Sequence, residues 1–324
     1  MPDGPRAPAA GMNTPLVSVI IPTYNHAAFL PAALKSVQAQ TYAPVEIIVV
    51  DDFSTDNTEE VVAEHANSRT TYMKSANKGI VATSRNVGVR AAKGEYIAFL
   101  DADDVWAPDK LALQLRHLAD PSVAAVASDL SYSGARRYSQ SRRGRGPAGY
   151  CDYGNLEIVR DNPIATSSVV MRRQDLERVG GFDESPEFRF IEDWELWLRL
   201  TVDRRIRVLE QPLVTYRIAA VERPRIPILT NRLKVIEKHL RLGNLKPADA
   251  SAAVAGVHFA IGVAAFPADA RISRDNFRAA GEMAATRRLA ALAATARAAT
   301  LLPRQLRVAG SRALTWANRW ARFA

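Results

Sequence analysis

Cysteine is almost missing from this chain of 324 residues. Cys151 stands alone, which excludes an internal disulfide framework and a cysteine-rich zinc site and fits a reducing compartment. No run of about eighteen apolar residues occurs, so no segment reads as a membrane-spanning helix. The nearest approach, Ala252 to Phe266, is short, carries His258 and stops at Pro267. The first fifteen residues lack the basic start and apolar centre of a secretory signal and read as a flexible leader. The five histidines, His26, His65, His117, His239 and His258, fall at no metal-ligand spacing and read as structural or exposed; His26 alone stands close to a strand end. Neither G-x-x-x-x-G-K-[ST] nor G-x-G-x-x-G follows any apolar run, which excludes a P-loop and a dinucleotide fingerprint.

What is present is ordinary globular composition, 48% hydrophobic and 24% charged, in a length that suits one large domain plus an appendage. The net charge of +9 is unevenly placed. From Arg271 to Ala324 there are eleven arginines, no lysine and two acids, so the whole excess lies there and residues 1–270 are balanced. Such a tail reads either as a solvated helical face or as a contact for an anionic surface. Trp316, Trp320 and Phe323 fall at helical spacing with Arg312, Arg319 and Arg322 close by, a pattern that suits a membrane interface or docking on the chain's own helices.

Between residues 16 and 220 apolar runs alternate with helical spacing. Val17–Ile21, Val45–Val50, Thr70–Met73, Glu95–Leu100, Val123–Ala127, Ser167–Met171 and a stretch within Val208–Tyr216 read as strands. Phe29–Val37, Thr58–His65, Ile80–Ala92, Leu111–Leu118, Gln174–Val179 and Glu192–Leu200 read as helices. Strand–helix alternation predicts an α/β fold with a mostly parallel central sheet, its β-branched strands covered on both faces. Residues 131–149, with five arginines and no apolar period, read as a basic mobile loop, and residues 221–324 as a helical, Arg-rich C-terminal region.

Four predicted strands end in polar groups: Pro22-Thr23-Tyr24-Asn25, Asp51-Asp52-Phe53-Ser54, Asn77-Lys78-Gly79 and Asp101-Ala102-Asp103-Asp104. In an open α/β sheet ligands bind beyond the carboxyl ends of the strands, so these groups are expected to share one crevice. An aromatic face, carboxylates for ribose hydroxyls, a lysine and a clustered acidic pair suit a nucleoside diphosphate with a divalent metal. Asp101-x-Asp103 offers hard oxygen donors for Mg²⁺ or Mn²⁺, which keep several waters and bridge to substrate phosphates. Asp104 reads as helix-cap chemistry before Pro108-Asp109-Lys110.

These motifs, with Arg85-Asn86-Val87-Gly88, Gly180-Gly181-Phe182-Asp183-Glu184 and Glu192-Asp193-Trp194-Glu195-Leu196, resemble those of family 2 inverting glycosyltransferases of the GT-A fold. The resemblance spans roughly residues 16 to 217. It implies a GT-A domain, with Pro22, Thr23, Tyr24, Asn25, Asp52, Lys78, Gly79, Arg85, Asp101 and Ala102 binding the nucleotide sugar. Thr23, Tyr24 and Asp52 would hold a uracil-type base and ribose, Arg85 the base or diphosphate, and Asp101 the ribose. Asp103 would hold the metal, Mn²⁺ or Mg²⁺. Asp193 would be the catalytic base, with Glu192 and Trp194 on the acceptor side. One departure is plain: many members place a histidine soon after a Tyr-Arg pair, and here the run is Tyr216-Arg217-Ile218-Ala219-Ala220.

The implied function is metal-dependent, inverting sugar transfer from a UDP-sugar, with GDP- or dTDP-sugars as alternatives, to a glycan or lipid-linked hydroxyl acceptor in surface polysaccharide synthesis. The expected setting is cytoplasmic, peripheral at the inner face of the membrane, with the C-terminal tail on anionic lipid and no nucleic acid bound. The competing reading is a non-catalytic nucleotide-sugar or glycan-binding protein of the same fold.

Overall fold

The computed structural model describes residues 14–133, 148–217, 225–284, 286–301 and 307. Most of the leader, the centre of the basic loop and the Trp316–Phe323 stretch lie outside the described residues, as do positions 218–220 after the Tyr-Arg pair. The chain forms two compact units, one of residues 1–154, 163–186 and 192–220 and one of residues 155–162, 187–191 and 221–324.

In the first unit nine described strands make one sheet: β1 (Val17–Thr23), β2 (Val45–Asp51), β3 (Thr70–Lys74), β4 (Tyr96–Phe99), β5 (Val105–Trp106), β6 (Val123–Tyr132), β7 (Tyr150–Tyr153), β8 (Val170–Arg172) and β9 (Arg205–Tyr216). Their order is β3-β2-β1-β4-β8-β6-β9-β5, with β7 paired to β9. Strands β3, β2, β1 and β4 are mutually parallel, carrying the predicted parallel character. Beyond β4 the sheet is mixed, with β8 antiparallel to both neighbours and β9 parallel to β6. Every residue of β1 is buried, as its unbroken apolar run requires for a strand covered on both faces.

The helices of this unit are α1 (Leu30–Gln38), α2 (Thr58–His65), α3 (Val81–Ala91), α4 (Lys110–Leu115), α6 (Arg173–Arg178) and α7 (Glu192–Leu200), with α5 (Asn155–Arg160) in the other unit. Gly88 lets α3 lie close on β1, since a Cβ there would sit 2.5 Å from Ile20 Cγ2. The amphipathic α7 buries Trp194, Trp197 and three leucines. Lys110 is wholly buried, its Nζ 2.7 Å from Gln114 Oε1 and 4.0 Å from the Trp106 ring centre, and burial drives its pKa well down. Gln114 in turn donates to the carbonyls of Val126 and Ser168, tying α4 to β6 and to the turn before β8.

The structure alters three local expectations. The predicted strand at Ser167–Met171 begins as a 3₁₀ turn, Thr166–Ser168, because the Ser168 hydroxyl bonds back to Ala165 O at 2.7 Å. Strands β5 and β7 are too short for periodicity to reveal. Asp104 caps no helix: it is buried ahead of β5, and α4 starts six residues later.

The second unit contains α5, α8 (Arg225–Arg241), α9 (Pro247–Ala265), α10 (Ala270–Glu282) and α11 (Arg287–Ala299). Phe259, Val263, Phe266, Phe277, Leu289 and Ala293 build its core. Ser273 Oγ donates to Gly262 O and His258 Nδ1 lies 2.8 Å from Asn276 Oδ1, an antiparallel match of α9 with α10. At 19 residues α9 is longer than the apolar stretch read from the sequence, and by length and composition it could cross a membrane. Half of it is buried within the protein, consistent with its place in this core.

Candidate functional site

The chain runs outward from β1 to β2 and β3, then returns to the other side of β1 as β4. The order reverses between β1 and β4, where the carboxyl ends of neighbouring strands diverge and leave room for a ligand. Thr23-Tyr24-Asn25 and Asp101-Ala102-Asp103 flank this point. Among the described residues four non-glycines have left-handed φ, and three of them, Asn25 (53°), Phe53 (57°) and Lys78 (53°), lie just past β1, β2 and β3. Such backbone strain persists only where surrounding contacts hold it, and it gathers at ligand-binding loops.

Here those contacts are visible. Asn25 Oδ1 accepts from Thr55 N at 2.7 Å, and Asn25 N donates to Ser54 Oγ at 2.8 Å, joining the first two loops. Asp52 Oδ1 accepts from Asn77 N at 2.6 Å, which carries the third loop to the second. Asp51 is buried and engaged by Ser54 and Tyr72, so it supports the loop from below. Tyr24 and Phe53 remain 52% and 55% exposed, two aromatic faces on one rim.

On the other side of β1 the acidic loop meets α7. Arg85 is 3% exposed and donates from Nη2 to Asp101 Oδ1 at 2.9 Å and from Nη1 to Glu192 Oε1 at 2.8 Å. Burial opposes its charge, but Asp101 and Glu192 hold its pKa above the usual range. Asp193 Oδ1 accepts from Trp194 N at 2.6 Å and its Oδ2 accepts from the Thr166 hydroxyl at 3.2 Å. Burial, then the neighbouring Glu192 charge, pushes Asp193 up to about 7, although Arg85 and both hydrogen bonds pull the other way. Ser167 binds the acidic loop, its hydroxyl accepting from Asp101 N at 3.0 Å and its carbonyl from Trp106 Nε1 at 2.8 Å. Thr166 and Ser167 thus tie the two acidic pairs together.

Buried polar atoms without a partner gather here: Thr23 Oγ1, His26 Nδ1, Arg85 Nε, Asp104 Oδ2 and Glu192 Oε2. Burial and the Asp101 charge raise the pKa of Asp103, and the same two causes push Asp104 up to about 8. Crowded carboxylates with unmet bonding capacity want a counter-charge. Among the described residues no three His, Cys, Asp or Glu side chains close into a metal cage. One carboxylate completed by water and substrate phosphate is nevertheless a normal Mg²⁺ or Mn²⁺ donor set, so the residues fit a divalent cation on Asp103.

Comparison with known proteins agrees with this geometry. Residues 18–180, half of the chain, match the model of glycosyl transferase family 2. The chain belongs to that family. An uncharacterized glycosyltransferase of Nostoc sp. is 33% identical over 215 residues, which are 62% of this chain and 64% of that protein. UDP-Glc:alpha-D-GlcNAc-diphosphoundecaprenol beta-1,3-glucosyltransferase WfgD of Escherichia coli is 32% identical over 162 residues, 50% of this chain and 54% of the enzyme. The matched part is therefore under two thirds of the length of these relatives. The structure of S. aureus TarS 1–349 in complex with UDP-GlcNAc superposes with a TM-score of 0.67 at 20% identity, covering 91% of both chains. Mannosyltransferase PcManGT from Pyrobaculum calidifontis, in complex with GDP-Man and Mn²⁺, superposes at 0.58 with 24% identity, covering 95% of this chain and 88% of that one. Both likenesses establish the GT-A-like fold.

Within this family 2 chain the structure brings Thr23, Tyr24, Asn25, Asp52, Lys78 and Gly79 to adjoining loops, and Asp101, Asp103, Glu192 and Asp193 to the neighbouring side. Two residues given roles from sequence sit in surroundings that the sequence did not indicate. Arg85 is buried with both terminal nitrogens on carboxylates, one on the buried Glu192 and one on the partly exposed Asp101. Trp194, 1% exposed, has no surface to offer an acceptor and serves as core. Glu192 is also buried, held on Arg85, and Pro22 and Ala102 are buried too. Sequence reading missed Thr166, Ser167 and Phe53. No motif announces a Thr-Ser pair in a 3₁₀ turn, whereas Phe53, inside Asp-Asp-Phe-Ser, could have been named beside Tyr24.

Proposed function

We propose that this protein transfers a sugar, with inversion and with the help of a divalent cation, from a nucleoside-diphosphate sugar to a hydroxyl of a lipid-linked glycan. The observation that carries the proposal is the Arg85 bridge between Asp101 and Glu192, which sets a metal-type acidic loop beside a carboxylate of raised basicity. Support for a uridine nucleotide and a lipid diphosphate acceptor comes from the E. coli relative, and for Mn²⁺ from the archaeal structural neighbour. Action at the cytoplasmic face of a membrane, as a peripheral protein, follows from such an acceptor.

In this reading Tyr24 and Phe53 flank the base, and Asp101 meets the ribose. Asp103 would hold the cation, which when bound offsets negative charge on the departing diphosphate. Asp193 takes the proton of the attacking hydroxyl from the side of the sugar away from the nucleotide, as single displacement requires. Thr166 and the Trp194 N–H hold both oxygens of that carboxylate, fixing its direction.

A donor screen tests the proposal. With Mn²⁺ present, a panel of UDP-, GDP- and dTDP-sugars is scored by nucleotide release and by thermal shift; binding without turnover on any lipid-linked acceptor would favour the non-catalytic alternative. Asp103→Asn is expected to abolish the metal-stimulated part of donor binding, seen as loss of the Mn²⁺-dependent rise in Tm. Thr166→Val is expected to lower kcat by about tenfold, the worth of a hydrogen bond to a charged group, with KM for the donor unchanged. Because that bond favours the carboxylate form, its loss should also move the pH midpoint of kcat upward, and Thr166→Ser should restore both. An unmoved midpoint in Thr166→Val would show that the contact does not act through Asp193.

A further inference from the structure

We propose that Arg217 binds the diphosphate of the donor nucleotide through its two terminal nitrogens. The assignment rests on the nucleotide-sugar reading above and adds a residue to it. Arg217 follows the last residue of β9 and is fastened to the acidic loop at two points. Its backbone N–H donates to Asp104 Oδ1 at 3.0 Å, and its Nε donates to the carbonyl of Asp103 at 3.1 Å. The guanidinium lies 4.6 Å from the centre of the Phe29 ring, a stacking contact that holds the plane from one side. Phe29 in turn meets His26 edge-on at 5.8 Å, so the loop after β1, the loop after β4 and the end of β9 share one small cluster.

Nη1 and Nη2 make no hydrogen bond among the described residues, and the side chain is partly exposed. The charge of Arg217 is felt at Asp103. This differs from Arg85, whose two terminal nitrogens are consumed by Asp101 and Glu192. Asp101 and Asp103 stand at the mouth of the acidic loop, and the nearest buried guanidinium, Arg85, is already spent on Asp101 and Glu192. A diphosphate entering beside them is helped by a further positive charge at the loop itself. A planar fork with free donors, pinned by its own Nε to the residue that would hold the cation, fits a phosphate bridging to that cation. The same tether explains why a lysine could not do this equally well, since it has no second nitrogen to anchor while another binds.

The test uses the full chain with Mn²⁺, titrated with UDP and UMP by calorimetry and with uridine by saturation-transfer NMR, which reads weak binders; GDP, GMP and guanosine form a parallel series. Arg217→Gln is expected to weaken the diphosphate about ten- to a hundredfold, the range for a lost charge-assisted contact, while uridine binding stays unchanged. Arg217→Lys should recover part of the loss. Undiminished UDP affinity in Arg217→Gln overturns the assignment. So does an equal loss for UDP and uridine, which would mark Arg217 as a latch for the acidic loop only. Failure of the wild type to bind any of UDP, GDP and dTDP removes the nucleotide-sugar reading itself, an outcome distinct from either.

Discussion

Asp193→Asn is expected to lower kcat by about 10²- to 10⁴-fold, the range contributed by a positioned general base, and to leave the donor Kd unchanged. Asparagine keeps the shape: its Oδ1 can still accept from Trp194 N, and its amide NH₂ can donate to the Thr166 hydroxyl in place of the bond the carboxylate accepts there. What it loses is the ability to take a proton. The pH dependence carries the same assignment. With its pKa raised to about 7 by burial and by Glu192, Asp193 is protonated and idle in acid and becomes competent as pH rises through that value. Wild-type kcat/KM should therefore climb with pH through about 7 and then level, if Asp193 is the base. Normal transfer by Asp193→Asn, with donor binding intact, would falsify the base assignment and leave the fold and the donor site standing.

The second large effect belongs to Arg85. Arg85→Gln should destabilise the protein by about 3–5 kcal/mol, the usual cost of removing one member of a buried ion pair, read as a drop in the denaturation midpoint. The reason is the interior position of two of the three groups: Arg85 and Glu192 are almost fully enclosed, and Glu192 already has one oxygen unpartnered. Without the guanidinium, the Glu192 charge is left in a low-dielectric setting beside Asp193. Arg85→Gln combined with Glu192→Gln should recover part of the loss, because the stranded charge is gone. A nucleotide-contacting arginine would behave otherwise, costing donor affinity and little stability. The two outcomes separate a brace from a ligand-binding group.

Much of this molecule could be read from residue order. The strand ends at Thr23, Asp51, Lys74 and Phe99 fall where apolar runs meet polar residues, and α2 and α7 occupy their expected spans. These features are local: a buried strand needs a continuous β-branched run, and a half-buried helix needs a 3.6-residue period. The acidic loop and the Glu192-Asp193 pair were legible for a different reason, as charge concentrated at the edge of apolar segments. The surroundings of Arg85 and Trp194 were not legible. An arginine in a helix looks the same in sequence whether it faces a nucleotide or two carboxylates, and a tryptophan beside an acid looks the same whether it greets a sugar or fills the core.

By itself the sequence determined the α/β character, the places where strands hand over to ligand-type loops, and the residue types available there, since all of these follow from spacing along one chain. Only the tertiary structure decided which carboxylates share Arg85, that Thr166 and Ser167 join the two acidic pairs, and that Arg217 is fastened to the acidic loop with two donors to spare. Those relations lie between segments far apart in the chain, and burial and charge act through space.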